Sequence, residues 1–293
     1  MRFGLNVGTS AAPGRDPVRD ARSAEALGFD FVSATDHLHG RSPTYETWTM
    51  LAWMAAGTSR IGVATRVLGL PYRSPAVLAK MAETFDRLSG GRLILGLGAG
   101  ASDEEFLGFG LGSRSPREKI DALAEAIEVI RGVWTRPGFT FTGRFYRTDR
   151  AELTPKPGRR IPIWLGTFGN RALEVTGRLA DGWIPSLAHA TPDRLPAMRD
   201  RVLAAARNAG RDPGSITCAL NLRIRLQDQP EDRPVDDPDV VSGPPAAVAE
   251  RLLTFAGMGF NTLNLIVGGD NPSEQTRRIA DEVIPAVRST VGR

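Results

Sequence analysis

The segment from Arg60 to Gly100, RIGVATRVLGLPYRSPAVLAKMAETFDRLSGGRLILGLGAG, contains a complete structural repeat. It opens with an apolar run at 60–68 and closes with another at 92–100, both rich in Val, Ile and Leu. Such continuous runs are expected of parallel strands that are buried on both faces. Between them, 75–88 has the pattern of a helix that begins at Pro75 and is followed by Ser-Gly-Gly. The segment therefore predicts a strand–helix–strand unit with parallel strands.

The same alternation extends along the whole chain. The predicted strands are RFGLNV, FDFVSA, RIGVATRVL, RLILGLGAG, IPIWLG, GWIPSL, TCALNLRIRL and NTLNLIV. The predicted helices are 17–27, 44–56, 75–88, 115–134, 170–179, 192–208, 244–258 and 273–287. Eight regular units without a break in composition favour a closed (β/α)8 barrel, the TIM-barrel form of the α/β class, over an open doubly wound sheet. A single domain of residues 1–293 suits such a barrel, which typically has about 250 residues.

Two segments interrupt the repeat. Phe139 to Thr148 alternates around Thr142-Gly143 and predicts a small hairpin insertion. Residues 227–243, QDQPEDRPVDDPDVVSG, are polar, acidic and Pro-rich, and predict a surface loop after strand seven. That loop is either a mobile flap over the site or an ordinary solvated loop.

The composition narrows the class of protein. With 41% hydrophobic and 24% charged residues the chain resembles soluble globular proteins. No apolar run approaches the roughly 20 residues of a membrane span, and the N-terminal segment lacks the pattern of a signal peptide. The single cysteine, Cys218, fits a reducing, cytoplasmic compartment. The basic residues are scattered along the chain, which argues against a nucleic-acid partner.

Two histidines, His37 and His39, follow strand two in FVSATDHLHG, directly after Asp36. The active site of a (β/α)8 barrel lies at the C-terminal ends of its strands, so these side chains are expected at the barrel mouth. A His-x-His pair can share a metal ion, but a catalytic metal needs further ligands from other strands. The remaining candidates are few: His189, Asp103, Glu104 and Asp181. The sequence therefore argues against a metal site, and no lysine ends a strand to act as a Schiff-base nucleophile.

Strand five ends in GTFGNRAL, with Gly166 and Gly169 before a predicted helix and Arg171 in its first turn. Free amides at a helix N-terminus, the helix dipole and a guanidinium together form an anion site. Glycines also follow strands three and four, in GLPYRSP and GLGAGAS. Together they indicate a planar or phosphorylated cofactor at the mouth. Strand eight is followed by GGDNPSEQ, in which Asp270 is a candidate helix cap.

Three stretches carry a family resemblance: AEALGFDFVSATDH, the segment 60–100, and PIWLGTFGNRALEVTGRLADGWIP. In order and spacing they resemble the luciferase-like monooxygenase superfamily over nearly the whole chain, and most closely its coenzyme F420-dependent oxidoreductases. The resemblance implies hydride transfer between F420 and a small organic substrate. The alternative is an FMN-dependent monooxygenase that needs a separate flavin reductase. The family resemblance also implies a homodimer whose subunits pack through the early helices.

The resemblance further implies roles for individual residues. His37 would donate or accept a proton or stabilise charge, and Asp36 would lie against the cofactor. A non-proline cis peptide bond is expected at Arg66–Val67, behind the cofactor ring. The other implied cofactor contacts are Gly98, Ala99 and Gly100 near the ring, and Gly166, Thr167, Phe168, Gly169, Asn170 and Arg171 at the phosphate. No metal is implied.

The chain departs from the family pattern at two places. Ala101 and Ser102 stand where several deazaflavin dehydrogenases carry a Glu, which leaves open whether a second acid–base group exists there. Arg66 is unexpected beside a flat cofactor and would face either an anionic substrate or the cofactor tail. Five aromatic residues are candidates either for the pocket lining or for the core: Tyr45, Trp48, Phe106, Phe109 and Trp183.

Overall fold

A computed structural model describes residues 1–227, 239–269 and 271–292. Within these residues eight strands form the barrel: β1 (Arg2–Asn6), β2 (Phe31–Ala34), β3 (Gly62–Thr65), β4 (Leu93–Gly98), β5 (Ile163–Leu165), β6 (Gly182–Trp183), β7 (Thr217–Leu226) and β8 (Thr262–Val267). Each strand pairs in parallel with the next, and β8 pairs with β1, so the sheet is closed. The predicted (β/α)8 barrel is confirmed.

Helices surround the barrel. They are α1 (Pro17–Ala26), α2 (Thr47–Ala56), α3 (Pro75–Leu88), α4 (Asp103–Gly108), α5 (Pro116–Thr135), α6 (Asn170–Leu179), α7 (Leu195–Asn208), α8 (Pro245–Gly257), α9 (Pro272–Arg278) and α10 (Ile284–Val291). Helix α2 begins three residues later than predicted because the Glu46 carboxylate accepts hydrogen bonds from the amides of Trp48 and Thr49. The short helix α4 was not predicted. None of the helices in the described part of the chain combines the length and the apolar character needed to cross a membrane.

Of the two predicted insertions, the structure contains the hairpin and describes only part of the polar loop. The predicted hairpin is present as the antiparallel strands Phe139–Thr142 and Arg147–Ala151, the second of which extends past the predicted end. Residues 228–238 of the predicted polar loop lie outside the described residues, as does Asp270. The end of that segment is not loop: Val240–Gly243 pairs in parallel with the end of β7. Helix α9 is capped by Asn271, whose Oδ1 accepts a hydrogen bond from the Glu274 amide.

The barrel interior changes from apolar to polar towards the C-terminal ends of the strands. Its apolar layer consists of Phe31, Ala64, Ile94, Trp164, Ile184 and Ala219. Above it, Asn264 accepts a hydrogen bond from Ser33 Oγ and donates one to Asn221 Oδ1, each at 2.9 Å. The packed layer closes the barrel from below, so a ligand can enter only from the mouth where the polar groups lie.

Candidate functional site

The floor of the site is formed where β3 ends. The peptide bond between Arg66 and Val67 is cis, as the family resemblance predicts. The chain then pairs again, with Leu68–Gly69 beside the end of β4. A Cβ added to Gly98 would lie 2.7 Å from Val67 Cγ2, and one added to Gly166 would lie 3.2 Å from it. The glycines of β4 and β5 therefore make room for Val67 and leave a shelf without larger side chains.

Asp36 is buried beside this floor and is fully hydrogen-bonded. Its carboxylate accepts from the Gly69 amide at 2.9 Å and from Arg73 Nη1 and Nη2 at 2.7 and 3.3 Å. Arg73 also forms an ion pair with Glu46 in the turn before α2. The predicted cofactor ligand is thus directed at Arg73 and holds the loop after β3 against the end of β2.

His37 contacts a carboxylate, that of Glu105, which was not among the site residues predicted from the sequence. Its Nδ1 lies 2.8 Å from Oε1 of Glu105, which sits on α4, and the other oxygen of Glu105 accepts from the Tyr72 hydroxyl. Burial alone would raise the pKa of Glu105, but the bonds from Tyr72 and His37 outweigh it and lower that pKa. Burial and the bond to Glu105 raise the pKa of Tyr72. Glu105 is therefore a charged carboxylate that holds the imidazole from one side.

A local signal for Glu105 existed in the sequence. The run Asp103-Glu104-Glu105 follows Ser102, whose hydroxyl accepts a hydrogen bond from the Glu105 amide and caps α4. A serine followed three residues later by Glu is a helix-start pattern that presents acidic groups at a barrel mouth. It supplies an acidic group four residues beyond Ala101, which stands where the family resemblance implies a Glu.

The two histidines do not converge on a common point. His39 Nε2 lies 3.8 Å from Oε1 of Glu104, whereas His37 is held by Glu105. No group of three or more potential ligands for a metal ion occurs among the residues described. Asp181, which the sequence analysis placed near the mouth, comes directly before β6 at the opposite end of the barrel. There it pairs with Arg131 and Arg160 at 2.7 and 2.6 Å.

The segment between β5 and α6 has the geometry of an anion site. Gly169 precedes the first turn of α6, no side chain among the described residues caps that helix, and a Cβ added to Gly169 would meet open space. Thr167 secures the segment, because its hydroxyl bonds Thr176 at 2.7 Å and its carbonyl accepts from Trp183 Nε1 at 3.0 Å. The free amides of the first turn are thus presented on a fixed backbone.

Three neighbouring candidates have other contacts. The Arg171 guanidinium is held by Asp121 of α5, at 2.9 Å from its Nε, so the backbone amides and not this side chain form the core of the anion site. Phe168 packs edge-on against the His189 ring at 5.2 Å between centroids. Asn170 is exposed at the first position of α6.

The segment after β4 packs against α4. Gly100 has φ +95°, and a Cβ there would lie 2.6 Å from the ring of Phe106. Both the backbone conformation and the close contact therefore exclude a larger residue. Ala99 is half-buried against the core. Of the aromatic candidates, Trp183 and Phe106 are buried, Trp48 packs on Phe85, and Tyr45 and Phe109 are exposed.

Arg66 lies inside the mouth. Its backbone amide donates to the Ala34 carbonyl of β2 at 2.8 Å, and its Nε donates to Asn6 Oδ1 at the end of β1 at 2.9 Å. The side chain therefore turns into the barrel and not outward to the helices.

Comparison with known proteins identifies relatives over the full length. The model of the luciferase-like monooxygenase family matches residues 1–236. The chain is 28% identical to the F420-dependent glucose-6-phosphate dehydrogenase of Nakamurella multipartita, across 100% of this chain and 98% of that protein. It is 34% identical to the F420-dependent hydroxymycolic acid dehydrogenase of Mycobacterium tuberculosis, across 68% of this chain and 56% of that protein.

Two solved structures illustrate the shared fold. An F420-dependent secondary alcohol dehydrogenase in complex with an F420–acetone adduct superposes with a TM-score of 0.85 at 21% identity, covering 98% of this chain and all of that one. The oxygenating constituent of 3,6-diketocamphane monooxygenase from Pseudomonas putida, in complex with FMN, gives 0.78 at 19% identity, covering 97% and 98%. At these identities the likeness establishes the fold alone.

Proposed function

The chain belongs to the luciferase-like monooxygenase family, and on that premise we propose that it transfers a hydride between coenzyme F420 and a small organic substrate. It is an F420-dependent oxidoreductase, as are the relatives that match it along its whole length. The observation that carries the proposal is the placement of His37, held by Glu105, at the same barrel mouth as the glycine shelf of β4 and β5. The FMN-binding relatives are distant, so FMN remains the second candidate cofactor.

The residues at the mouth fit a flat ring with a phosphate. Gly98 and Gly166 keep the floor free of side chains around Val67, and Gly169 leaves open space beside uncapped amides. We assign the ring to the surface formed by Val67 and residues 98–100, and the phosphate to residues 166–171. F420, when bound there, supplies a carbon that accepts or gives a hydride.

His37 accepts or donates the proton that is transferred together with the hydride. With Nδ1 bonded to a carboxylate, the neutral imidazole carries its hydrogen on Nδ1 and leaves Nε2 as a base. When a hydride leaves a carbon that bears a hydroxyl group, Nε2 takes the hydroxyl proton; in the reverse direction it returns the proton. Glu105 stabilises the imidazolium that forms, and Asp36, through Arg73, fixes the adjoining loop.

A titration of the purified protein with F420 and, in parallel, with FMN tests the cofactor. We expect F420 to bind and to change its fluorescence on entering the barrel, while FMN binds at least tenfold more weakly. Tight binding of FMN without binding of F420 would replace the proposal with the oxygen-activating alternative.

Glu105→Gln is expected to lower kcat by about 10- to 100-fold with little change in KM or in the Kd of F420. The amide keeps a hydrogen bond to His37 but no longer stabilises the imidazolium, so Glu105 acts as a positioning residue and the pH profile of kcat should shift to lower pH. Glu104→Gln is the matched control, because that exposed carboxylate is 3.8 Å from His39 and does not contact His37. Equal losses in both variants would contradict the assignment.

The pH dependence of the stability of Glu105→Gln provides a second test. Because the folded-state pKa of Glu105 is lowered, its carboxylate adds stability above the ordinary value of 4.5, and that stability is lost as the pH falls through the folded value. Urea unfolding between pH 6 and pH 3 should therefore show a smaller acid loss in Glu105→Gln than in the wild type. A structural defect unrelated to charge would instead lower the stability of Glu105→Gln by the same amount at every pH.

We also propose that residues 1–293 act as one domain and form a cytoplasmic homodimer through α2 and α3. Trp53 on α2 is 70% exposed, and Val77 and Leu88 on α3 are 57% and 83% exposed, so these two helices offer apolar side chains that a second copy of the chain could cover. Trp53→Asp should convert a dimer to a monomer in light scattering, with Arg178→Asp, on α6, as control. A wild-type monomer at micromolar concentration would overturn the dimer, and recovery of the protein outside the cytoplasmic fraction would overturn the location.

A further inference from the structure

The side chain of Arg66 crosses the barrel interior above the apolar layer and brings a positive charge there. It follows β3, yet its Nε bonds Asn6 at the end of β1. Strand β2 separates β1 from β3 in the sheet, so this contact spans the interior of the mouth. The guanidinium therefore lies above the apolar layer that closes the barrel, where a bound molecule must enter.

Arg66 lacks the buried carboxylate partner that two other arginines, Arg73 and Arg159, have. Arg73 pairs with Asp36, and Arg159 pairs with Asp86. In contrast, no carboxylate in the described part of the chain forms an ion pair with Arg66. Its charged neighbour is instead Arg223 on β7, and burial together with this like charge lowers the pKa of Arg66 to about 10. At neutral pH the guanidinium is still protonated, so the mouth contains a cation that no carboxylate among the described residues pairs with.

An uncompensated, largely buried charge is unfavourable unless a ligand supplies the opposite sign. The Nε–H of Arg66 is used by Asn6, but no described residue accepts from its two Nη groups. Paired N–H donors of this kind match the two oxygens of a carboxylate or phosphate. The exposed Arg223 adds a second positive charge at the same opening. The geometry thus fits an oxyanion that enters from the mouth.

The cofactor phosphate has a separate place. The uncapped amides of α6 follow β5, whereas Arg66 reaches the end of β1, which lies four strands away in a barrel of eight. A cofactor phosphate at α6 therefore leaves the position near Arg66 available to the second reactant.

Resting on the proposed F420-dependent activity, we propose that Arg66, supported by Arg223, binds a carboxylate or phosphate group of the substrate, and that the substrate is therefore a small organic anion. The site would select charged over neutral substrates of the same shape. This assigns the function of Arg66 to the substrate and not to the cofactor tail.

The experiment uses the preformed protein–F420 complex, so that the cofactor phosphate already occupies its own position. Inorganic phosphate and acetate are titrated at constant ionic strength, and binding is followed by F420 fluorescence and by calorimetry. We expect saturable binding of one or both anions. Arg66→Gln should weaken that binding at least tenfold and leave the Kd of F420 within twofold, while Arg66→Lys should retain part of it. Whichever anion binds more tightly identifies the substrate group.

Arg178→Gln is the matched control, because it removes the same charge from an exposed position on α6. It should bind anions as the wild type does. Arg223→Gln, at an exposed position, should weaken anion binding about threefold and provides a second test if Arg66→Gln folds poorly.

Two results would overturn the inference without touching the proposed function. One is a wild-type complex that binds F420 but neither anion. The other is an Arg66→Gln variant that loses F420 affinity tenfold and keeps anion affinity, which would assign Arg66 to the cofactor. Failure of the wild type to bind F420 would instead reject the proposed function. The same anion titrations on the protein without cofactor would then still decide the role of Arg66.

Discussion

His37→Ala is expected to lower kcat by about 10²- to 10⁴-fold, the range that positioned acid–base groups contribute. The substitution removes the only group that we assign to the substrate proton, while the shelf of β4 and β5 and the amides of α6 remain. The Kd of F420 should therefore change little. The measurement is steady-state turnover, followed by F420 absorbance, with an active substrate found by screening small organic anions and neutral alcohols.

His39→Ala is the control, because its imidazole lies near the exposed Glu104 and, unlike that of His37, forms no hydrogen bond with Glu105 in the described structure. It should keep turnover within about twofold. Added imidazole should restore part of the activity of His37→Ala, since a free base can occupy the vacated space. Full turnover by His37→Ala would exclude the proton-transfer role and leave His37 as a polar group of the loop after β2.

The framework of the barrel could be predicted because its signals are local. Several strands are continuous apolar runs, and several helices have a proline or a cap at their start, as at Pro75 and at Ser115. The order of strands in a closed parallel barrel follows the chain order, so a correct list of elements also placed Asp36 and His37 at the mouth. The position of the cis bond, in contrast, came from the resemblance to a family.

The partners of the site residues could not be predicted, because they lie far apart in the sequence. Glu105 is 68 residues from His37, and Asp121 is 50 residues from Arg171. Whether two such side chains meet depends on the path of a loop and on the length of a helix such as α4, whose six residues are too few to show a periodic pattern.

The misplacement of Asp181 has a simpler cause. That residue directly precedes β6, so the direction of the strand places it at the N-terminal end of the barrel, where Arg131 and Arg160 hold it. Its acidity alone made it a candidate ligand, whereas the strand direction excludes it from the mouth. The short strand at Val240–Gly243 was missed for another reason, since it follows an acidic, Pro-rich stretch that disfavours strands.

Asp36→Asn is expected to lower the free energy of unfolding by about 3 kcal/mol, the lower end of the cost of breaking a buried ion pair. The Asp36 side chain is 0% exposed and Arg73 is 11% exposed, so the lost charge cannot be replaced by water. Two features keep the cost at the lower end: Arg73 retains Glu46, and the new amide can still accept from Gly69. Urea unfolding at neutral pH measures the change.

The double variant Asp36→Asn/Arg73→Met separates the ion pair from the cofactor. If Asp36 serves mainly to satisfy Arg73, removing both charges should recover about half of the lost stability, because the guanidinium that has lost its buried partner is then also removed. The Kd of F420, measured where each variant is fully folded, should then change less than fivefold in Asp36→Asn. A stable Asp36→Asn variant that binds F420 tenfold more weakly would show the opposite: the carboxylate would leave Arg73 to contact the cofactor, as the family resemblance implies. The two readouts differ because the ion pair acts on folding and the cofactor contact acts only on the folded state.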